Sequence, residues 1–129
     1  MSTNSTIAVK TERGPYKSIY CHWDGYFDYM YPMLSENYST QERAEALVNL
    51  GDASFIDRRL CPSRGSGHSF DHPESGVSVF YHRDRGEDYN VSFHQTKEEV
   101  LKIQYYTYIF EDGMWKAYQG GVEVDSYEY

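Results

Sequence analysis

Strand-forming residues Thr6, Ile7 and Val9 sit in a loosely alternating stretch over residues 3–11, and a second β-rich stretch covers residues 17–23. Gly14 and Pro15 lie between them, which predicts a hairpin with Ile7 and Val9 set against Ile19 and Cys21. Its turn must exceed two residues, because Pro15 has no backbone donor to give a ladder. Asp24, Gly25 and Tyr26 close the second strand. Helical spacing follows: Met30, Met33, Leu34 and Asn37 predict a short helix over residues 29–38, with Pro32 in its first turn. Residues 40–50 carry a firmer signal. Ser39 with Glu42 three residues on forms a capping box, Ala44, Leu47 and Val48 share one face, and Gly51 supplies the stop.

Residues 52–75, rich in Gly, Ser, Pro and Arg, read as one long loop, a length that compact domains reserve for function or leave disordered. Val77, Val79 and Tyr81 then predict a strand over residues 76–82, followed by a charged turn around Gly86 and a return to the sheet over residues 89–93. Thr96 as N-cap, with Glu98 and Glu99 in the first turn, predicts a helix over residues 96–101. Residues 103–110 and 114–118 pair about the turn at residues 111–113. The closing residues 122–129 alternate apolar and acidic and form an edge strand or fray. The expected architecture is one α+β domain over residues 1–129, an antiparallel sheet of hairpins with two or three short helices.

At 129 residues the chain supports one core. Its 40% apolar and 17% aromatic content separates it from chains that stay unfolded. No apolar run approaches the ~20 residues of a membrane span, and residues 1–6 lack the basic and apolar regions of a secretion signal. The expectation is a cytoplasmic protein without membrane contact. Two cysteines make a poor disulfide framework, so Cys21 is read as a buried packing thiol and Cys61, before Pro62, as incidental. A net charge of −8 argues against direct binding of nucleic-acid backbones. The charge is segregated, however. Residues 58–85 hold five arginines (Arg58, Arg59, Arg64, Arg83, Arg85) against Asp71, Glu74 and Asp84, while the rest of the chain has seven basic and seventeen acidic residues.

Four constellations carry candidate chemistry. His68, Asp71, His82, Arg83, Asp84, Arg85 and Glu87 form a cationic island in which guanidinium forks suit phosphate or carboxylate oxygens, and Gly86 lets backbone amides approach an anion. The same residues can instead neutralise one another in a salt-bridge lattice. His22, Trp23, Asp24 and Tyr26 can stack a ring and bond its edge, or Trp23 can plug the core while Asp24 and Gly25 make the turn. His68 and His72, with Asp71, His22, His82 and Asp84, have ligand types that suit zinc, but Pro73 removes the helical geometry, so no metal and no cofactor is assigned. Fourteen tyrosines, including Tyr105, Tyr106, Tyr108, Tyr118, Tyr127 and Tyr129 near the C-terminus, favour an interface with a basic protein and leave a homo-oligomer open.

The segments IYCHWDGY at residues 19–26, HSFD at 68–71 and YHRDRGED at 81–88 resemble the recurring blocks of a small protein family found in bacteriophages, prophages and some bacteria. The opening STNSTIAV and the LVNLGD that ends the firmer helix also match that family's run, so the resemblance spans most of the chain. It implies a phage or mobile-element context and carries over no catalytic residue. The stretch FDYMYPM departs from the family, whose members have a glycine-containing segment there.

Together these readings lead to a phage-encoded counter-defence protein that sequesters an anionic, nucleotide-like small molecule between the CHWDGY and RDRGE segments. The alternative partner is a host defence protein, met by the acidic, tyrosine-rich surface in the manner of an anti-CRISPR or anti-restriction inhibitor. A small nucleotide hydrolase, using His22, His68 or His82 with Asp24 or Asp84 as acid and base, is the third reading.

Overall fold

A computed structural model of the chain describes residues 2–124. The first hairpin forms as expected. Ser5–Lys10 (β1) and Tyr16–Cys21 (β2) pair antiparallel with Ile7 opposite Ile19 and Ser5 opposite Cys21. Period-two alternation therefore sends Ile7, Val9, Ile19 and Cys21 to one face, and Thr6, Ala8, Ser18 and Tyr20 to the other. The turn is longer than two residues, closed by Thr11 N–H and hydroxyl donating to the Pro15 carbonyl at 3.0 and 2.8 Å.

Phe27–Asn37 (α1) starts two residues before the expected helix, so Pro32 lies in its interior rather than its first turn. It buries Phe27, Met30 and Leu34. Gln41–Val48 (α2) is capped by Thr40, whose hydroxyl oxygen accepts from Arg43 N–H at 3.1 Å. The expected Ser39–Glu42 box is thus displaced by one residue, because the Ser39 hydroxyl is used by the preceding helix, donating to the Ser35 carbonyl. Ala44, Leu47 and Val48 are buried as their spacing requires.

The α+β class holds, but the sheet is mixed. Its other strands are Ala53–Phe55 (β3), Val79–Phe80 (β4), Ser92–His94 (β5), Tyr106–Glu111 (β6), Met114–Gln119 (β7) and Val122–Val124 (β8). They run in the order β4-β3-β2-β1-β6-β7-β8, with β5 against β2. β1 lies parallel to β6, and β2 parallel to β3. An antiparallel sheet of hairpins was expected because hairpins announce themselves through short turns, whereas pairing between distant strands has no local signature. Residues 125–129, the end of the alternating tail, lie outside the described residues. Among the described residues there are four helices rather than two or three, the others being Tyr81–Arg85 (α3) and Lys97–Leu101 (α4). The expected strand over residues 76–82 therefore ends at Phe80, and RDRGE is a helical turn stopped by Gly86 in the left-handed region (φ 73°). α4 carries the expected Thr96 cap in a full capping box with Glu99.

The two sheet faces have separate cores. α1 and α2 cover the larger one, where Ile7, Val9, Ile19, Cys21, Tyr108, Phe110 and Trp115 meet Met30, Leu34 and Leu47. The Trp115 indole N–H donates to the Tyr38 carbonyl at 2.9 Å and ties the end of α1 to β7. On the opposite face Ala8, Tyr16, Val100, Ile109 and Tyr118 pack together, with Leu101 against them. No helix among the described residues is long and apolar enough to cross a membrane.

Glu111, only 4% exposed, sits at the edge of this second core with the Lys97 ammonium, the Tyr16 hydroxyl at 3.1 Å and the Lys116 ammonium at 3.4 Å. Burial raises its carboxyl pKa, and the bonds and charges of Lys97, Tyr16 and Lys116 outweigh that and hold it below its usual value. The bond to Glu111 raises the Lys97 pKa. A Lys97→Met variant keeps the apolar stem but leaves Glu111 with weaker partners, and should lose about 1–3 kcal/mol at neutral pH in urea unfolding. Because the folded carboxyl is depressed, Glu111 stabilises above its unfolded pKa of ~4.3, and that contribution disappears as pH falls through the folded value. The gap between variant and parent should therefore narrow in acid.

Candidate functional site

β2 ends at Cys21, and the chain leaves it through a rigid turn. His22 and Trp23 N–H groups donate to the Ala53 and Ser54 carbonyls at 3.0 and 2.9 Å, continuing the pairing with β3. Asp24 then adopts φ 56°, a left-handed conformation that aspartate tolerates better than most residues. Gly25 is clamped from both sides: its N–H donates to the Thr3 carbonyl at 2.8 Å, and its carbonyl accepts from the buried Tyr108 hydroxyl, also at 2.8 Å. The consequence is that Trp23 and Tyr26, flanking this turn, stay 43% and 40% exposed. Trp23 is not a core plug. The core position falls to Cys21, whose thiol donates weakly to the Trp23 carbonyl at 3.5 Å and is pushed up to about 12 by burial. That thiol is unreactive at neutral pH, and Cys61 is free and exposed.

Around the turn lies an aromatic surface set with carboxylates. The His22 and Trp23 rings meet edge to face at 4.7 Å, Tyr26 lies 6.3 Å from Tyr29, and Tyr29 lies 5.7 Å from Phe55. The Tyr29 hydroxyl donates to the Ile56 carbonyl at 2.6 Å, and its pKa is raised by burial first and then by the charges of Asp57 and Asp24. Among the described residues no cation is ion-paired with Asp24, Asp28 or Asp57. Beside Tyr26, at the start of α1, a cleft of about 160 Å3 is lined by Tyr26, Phe27, Asp28, Tyr106 and Gln119.

The cationic island is organised differently. The Arg83 guanidinium donates to both Asp84 oxygens, at 2.9 and 3.1 Å, to the Ser78 carbonyl at 2.9 Å, and to the Leu60 carbonyl. Asp84, with a side chain 5% exposed, also accepts the Phe80 N–H at 2.8 Å. Burial raises the Asp84 carboxyl pKa, and Arg83, the Phe80 amide and His68 together bring it below its ordinary value. His68 is buried beside this pair. Its Nδ1 accepts the Glu74 N–H at 3.0 Å, and its Nε2 stands 3.3 Å from Asp84 Oδ1 at an angle too poor for a hydrogen bond. Arg85 pairs with Glu87 and lies over the Phe70 and Tyr81 rings at 4.2 and 5.3 Å. Arg59 binds Glu74, whose carboxyl is held at about 2 by the Ser63 amide, the Ser66 and Ser63 hydroxyls and Arg59. The long loop is thus fastened to the domain by its own polar groups.

The amides expected to approach an anion are also committed. Gly86 N–H donates to the His82 carbonyl at 3.0 Å and Glu87 N–H to the Tyr81 carbonyl at 3.1 Å, closing α3. His82 Nδ1 donates to the Glu87 carbonyl at 2.7 Å, and His22 Nδ1 shares a 2.8 Å hydrogen bond with the Tyr20 hydroxyl. Asp71 is exposed on the loop. No three His, Cys, Asp or Glu side chains among the described residues gather at metal-binding distance.

The structure therefore brings His22, Trp23, Asp24 and Tyr26 together in one group and His68, Arg83 and Asp84 in another, with His82, Arg85 and Glu87 on the same helical turn as the second. The groups flank Asp52, whose carboxylate accepts Tyr20 N–H at 2.9 Å and whose carbonyl accepts Tyr81 N–H at 3.1 Å. Among the described residues, no hydrogen bond, ion pair or ring contact joins Trp23 or Tyr26 to Arg83 or Arg85. Asp28, Tyr29, Phe55 and Asp57 belong to the first group and were not singled out in the sequence. The i,i+3 spacing of Tyr26 and Tyr29 with Asp28 between them was the available signal. No protein-family model, curated protein or solved structure matches the chain.

Proposed function

We propose that this protein is a binding protein that grips a basic segment of another protein with the aromatic and carboxylate face built on residues 23–29. The observation that carries this reading is the occurrence of exposed Trp23 and Tyr26 beside the carboxylates Asp24, Asp28 and Asp57. These carboxylates have no ion-pair partner among the described residues, that of Asp57 accepting only the Arg58 N–H at 2.7 Å. Aromatic faces attract ammonium and guanidinium groups, worth ~0.5–2 kcal/mol each, and neighbouring carboxylates add charge-assisted hydrogen bonds. The cleft beside Asp28 is the size of one lysine or arginine side chain rather than of a nucleotide. A net charge of −8 steers a basic partner toward the molecule. Capture of an anion, by contrast, needs guanidinium groups that Asp84 and Glu87 already occupy. The resemblance of the CHWDGY, HSFD and RDRGED blocks to phage proteins supports a host defence protein as the partner, and inhibition by occlusion as the effect.

Fluorescence titration with an Arg/Lys-rich peptide and its Glu-substituted counterpart tests this. The basic peptide should bind, lose affinity as salt rises, and lose about 30-fold in a Trp23→Ala/Tyr26→Ala variant. Affinity capture from host lysate with the parent and this variant then identifies the partner. Equal binding of the two peptides, or an unchanged variant, overturns the proposal.

A further inference from the structure

On the sheet face away from α1 and α2, a cleft of about 160 Å3 is lined by Thr6, Ser18, Ile19, Tyr20, Asp52, Asn90, Ser92 and Ile103. We infer that it is a binding site for a single sugar ring or a polyol of that size. Its volume equals about five waters at ~30 Å3 each, too small for a nucleotide or a peptide segment.

The hydrogen-bonding groups decide the class. Thr6, 1% exposed, lines the cleft, and its hydroxyl has no hydrogen-bond partner among the described residues. A buried hydroxyl left in that state costs about 1–3 kcal/mol, so it marks a place where a polar group is accepted. Asp52 is held rigidly. One carboxylate oxygen accepts Tyr20 N–H at 2.9 Å and the other accepts Asn90 Nδ2 at 2.7 Å. Each oxygen keeps a further lone pair, and Asn90 keeps its carbonyl. Ser18 is oriented by His94 Nε2 at 3.1 Å.

No lysine, arginine or histidine lines the cleft, and Asp52 does, so an anion is repelled. An ammonium satisfies Asp52 but only donates, and leaves the Thr6 hydroxyl proton without an acceptor. Ligand hydroxyls do both: they donate to Asp52 and Asn90 and accept from Thr6 or Ser92. Ile103, 44% exposed, and the Tyr20 ring give apolar surface for the C–H face of a ring. This site is separate from the basic-segment face and stands or falls without it.

Nitrogen–proton correlation spectra recorded during titration with D-ribose, D-glucose and methylammonium chloride test the inference on the full chain. At least one of the two sugars should give saturable shifts confined to residues 6, 18–20, 52, 90–92 and 103, and methylammonium none. Thr6→Val, isosteric and β-branched on a strand, should fold as the parent and weaken sugar binding about tenfold. Ser92→Ala, on the opposite wall, provides a second variant with the same expectation. Absence of saturable sugar shifts, saturation by methylammonium alone, or full affinity in both variants overturns the inference.

Discussion

Replacing Arg83 by Met should destabilise the domain by about 3–5 kcal/mol, the cost of stranding a buried carboxylate. A domain of this kind has only ~5–15 kcal/mol in total. Arg83 neutralises Asp84 and also donates to the Ser78 and Leu60 carbonyls, so it joins β4, α3 and the long loop in one junction. With the guanidinium gone, Asp84 faces a site where its side chain is 5% exposed and keeps the hydrogen bond from the Phe80 amide, with His68 Nε2 nearby but not bonded to it. The pH dependence follows from the sign. In the parent the Asp84 carboxyl is depressed, so its contribution is complete above the unfolded pKa of ~3.9 and is lost as pH falls through the folded value. In the variant, burial raises that carboxyl and protonation relieves it, so the difference in urea midpoints should shrink from pH 7 toward pH 3. Adding Asp84→Asn to Arg83→Met should recover much of the loss, because the charge goes while an acceptor for Phe80 N–H stays. The folded double variant should bind a basic peptide as the parent does; lost binding would place the Arg83–Asp84 pair in the binding surface.

How much of this was legible in the chain depended on the distance over which each feature is decided. The β1–β2 hairpin and the Thr96 N-cap are local, and alternation and capping chemistry announced both. The register, with Val9 opposite Lys17 and Cys21 opposite Ser5, and the completion of the cap into a box by Glu99 were not in the pattern. The parallel contact of β1 with β6 joins residues about a hundred positions apart, and the three residues of β3 carry too little pattern to emerge from a Gly- and Ser-rich stretch. Val77, Val79 and Tyr81 alternate like a strand, yet the reach of the Asp84 carboxylate back to Phe80 N–H starts a helical turn in the middle of that pattern. The cationic island was visible as composition, but composition does not say which carboxylate stands beside which arginine. Arg83 and Asp84 are sequence neighbours, which a strand sends to opposite faces and the observed turn brings into contact. Trp23 was open to two readings because exposure depends on where β2 ends and on the φ of Asp24.

That turn supplies the second large effect. Gly25→Ala should cost about 3 kcal/mol, since a methyl group there would stand 2.6 Å from Ser5 Cβ and 2.8 Å from the Thr3 carbonyl oxygen. The Ser5 side chain lies on a buried strand and the Thr3 oxygen is backbone, so neither can give way without moving β1. Two hydrogen bonds, Gly25 N–H to Thr3 and the Tyr108 hydroxyl to the Gly25 carbonyl, would be strained at once. Asp24→Gly should move stability the other way, by up to about 1 kcal/mol, because glycine occupies φ 56° without the penalty aspartate bears, less its own greater chain entropy. The pair separates rigidity from charge. If Trp23 and Tyr26 depend on the clamp for their placement, Gly25→Ala weakens basic-peptide binding even where the protein is held folded by low temperature. Asp24→Gly weakens it only by the loss of one carboxylate, an effect that should fade as salt is raised. Equal salt sensitivity in the two variants would remove the clamp from the binding mechanism and leave it a purely structural device.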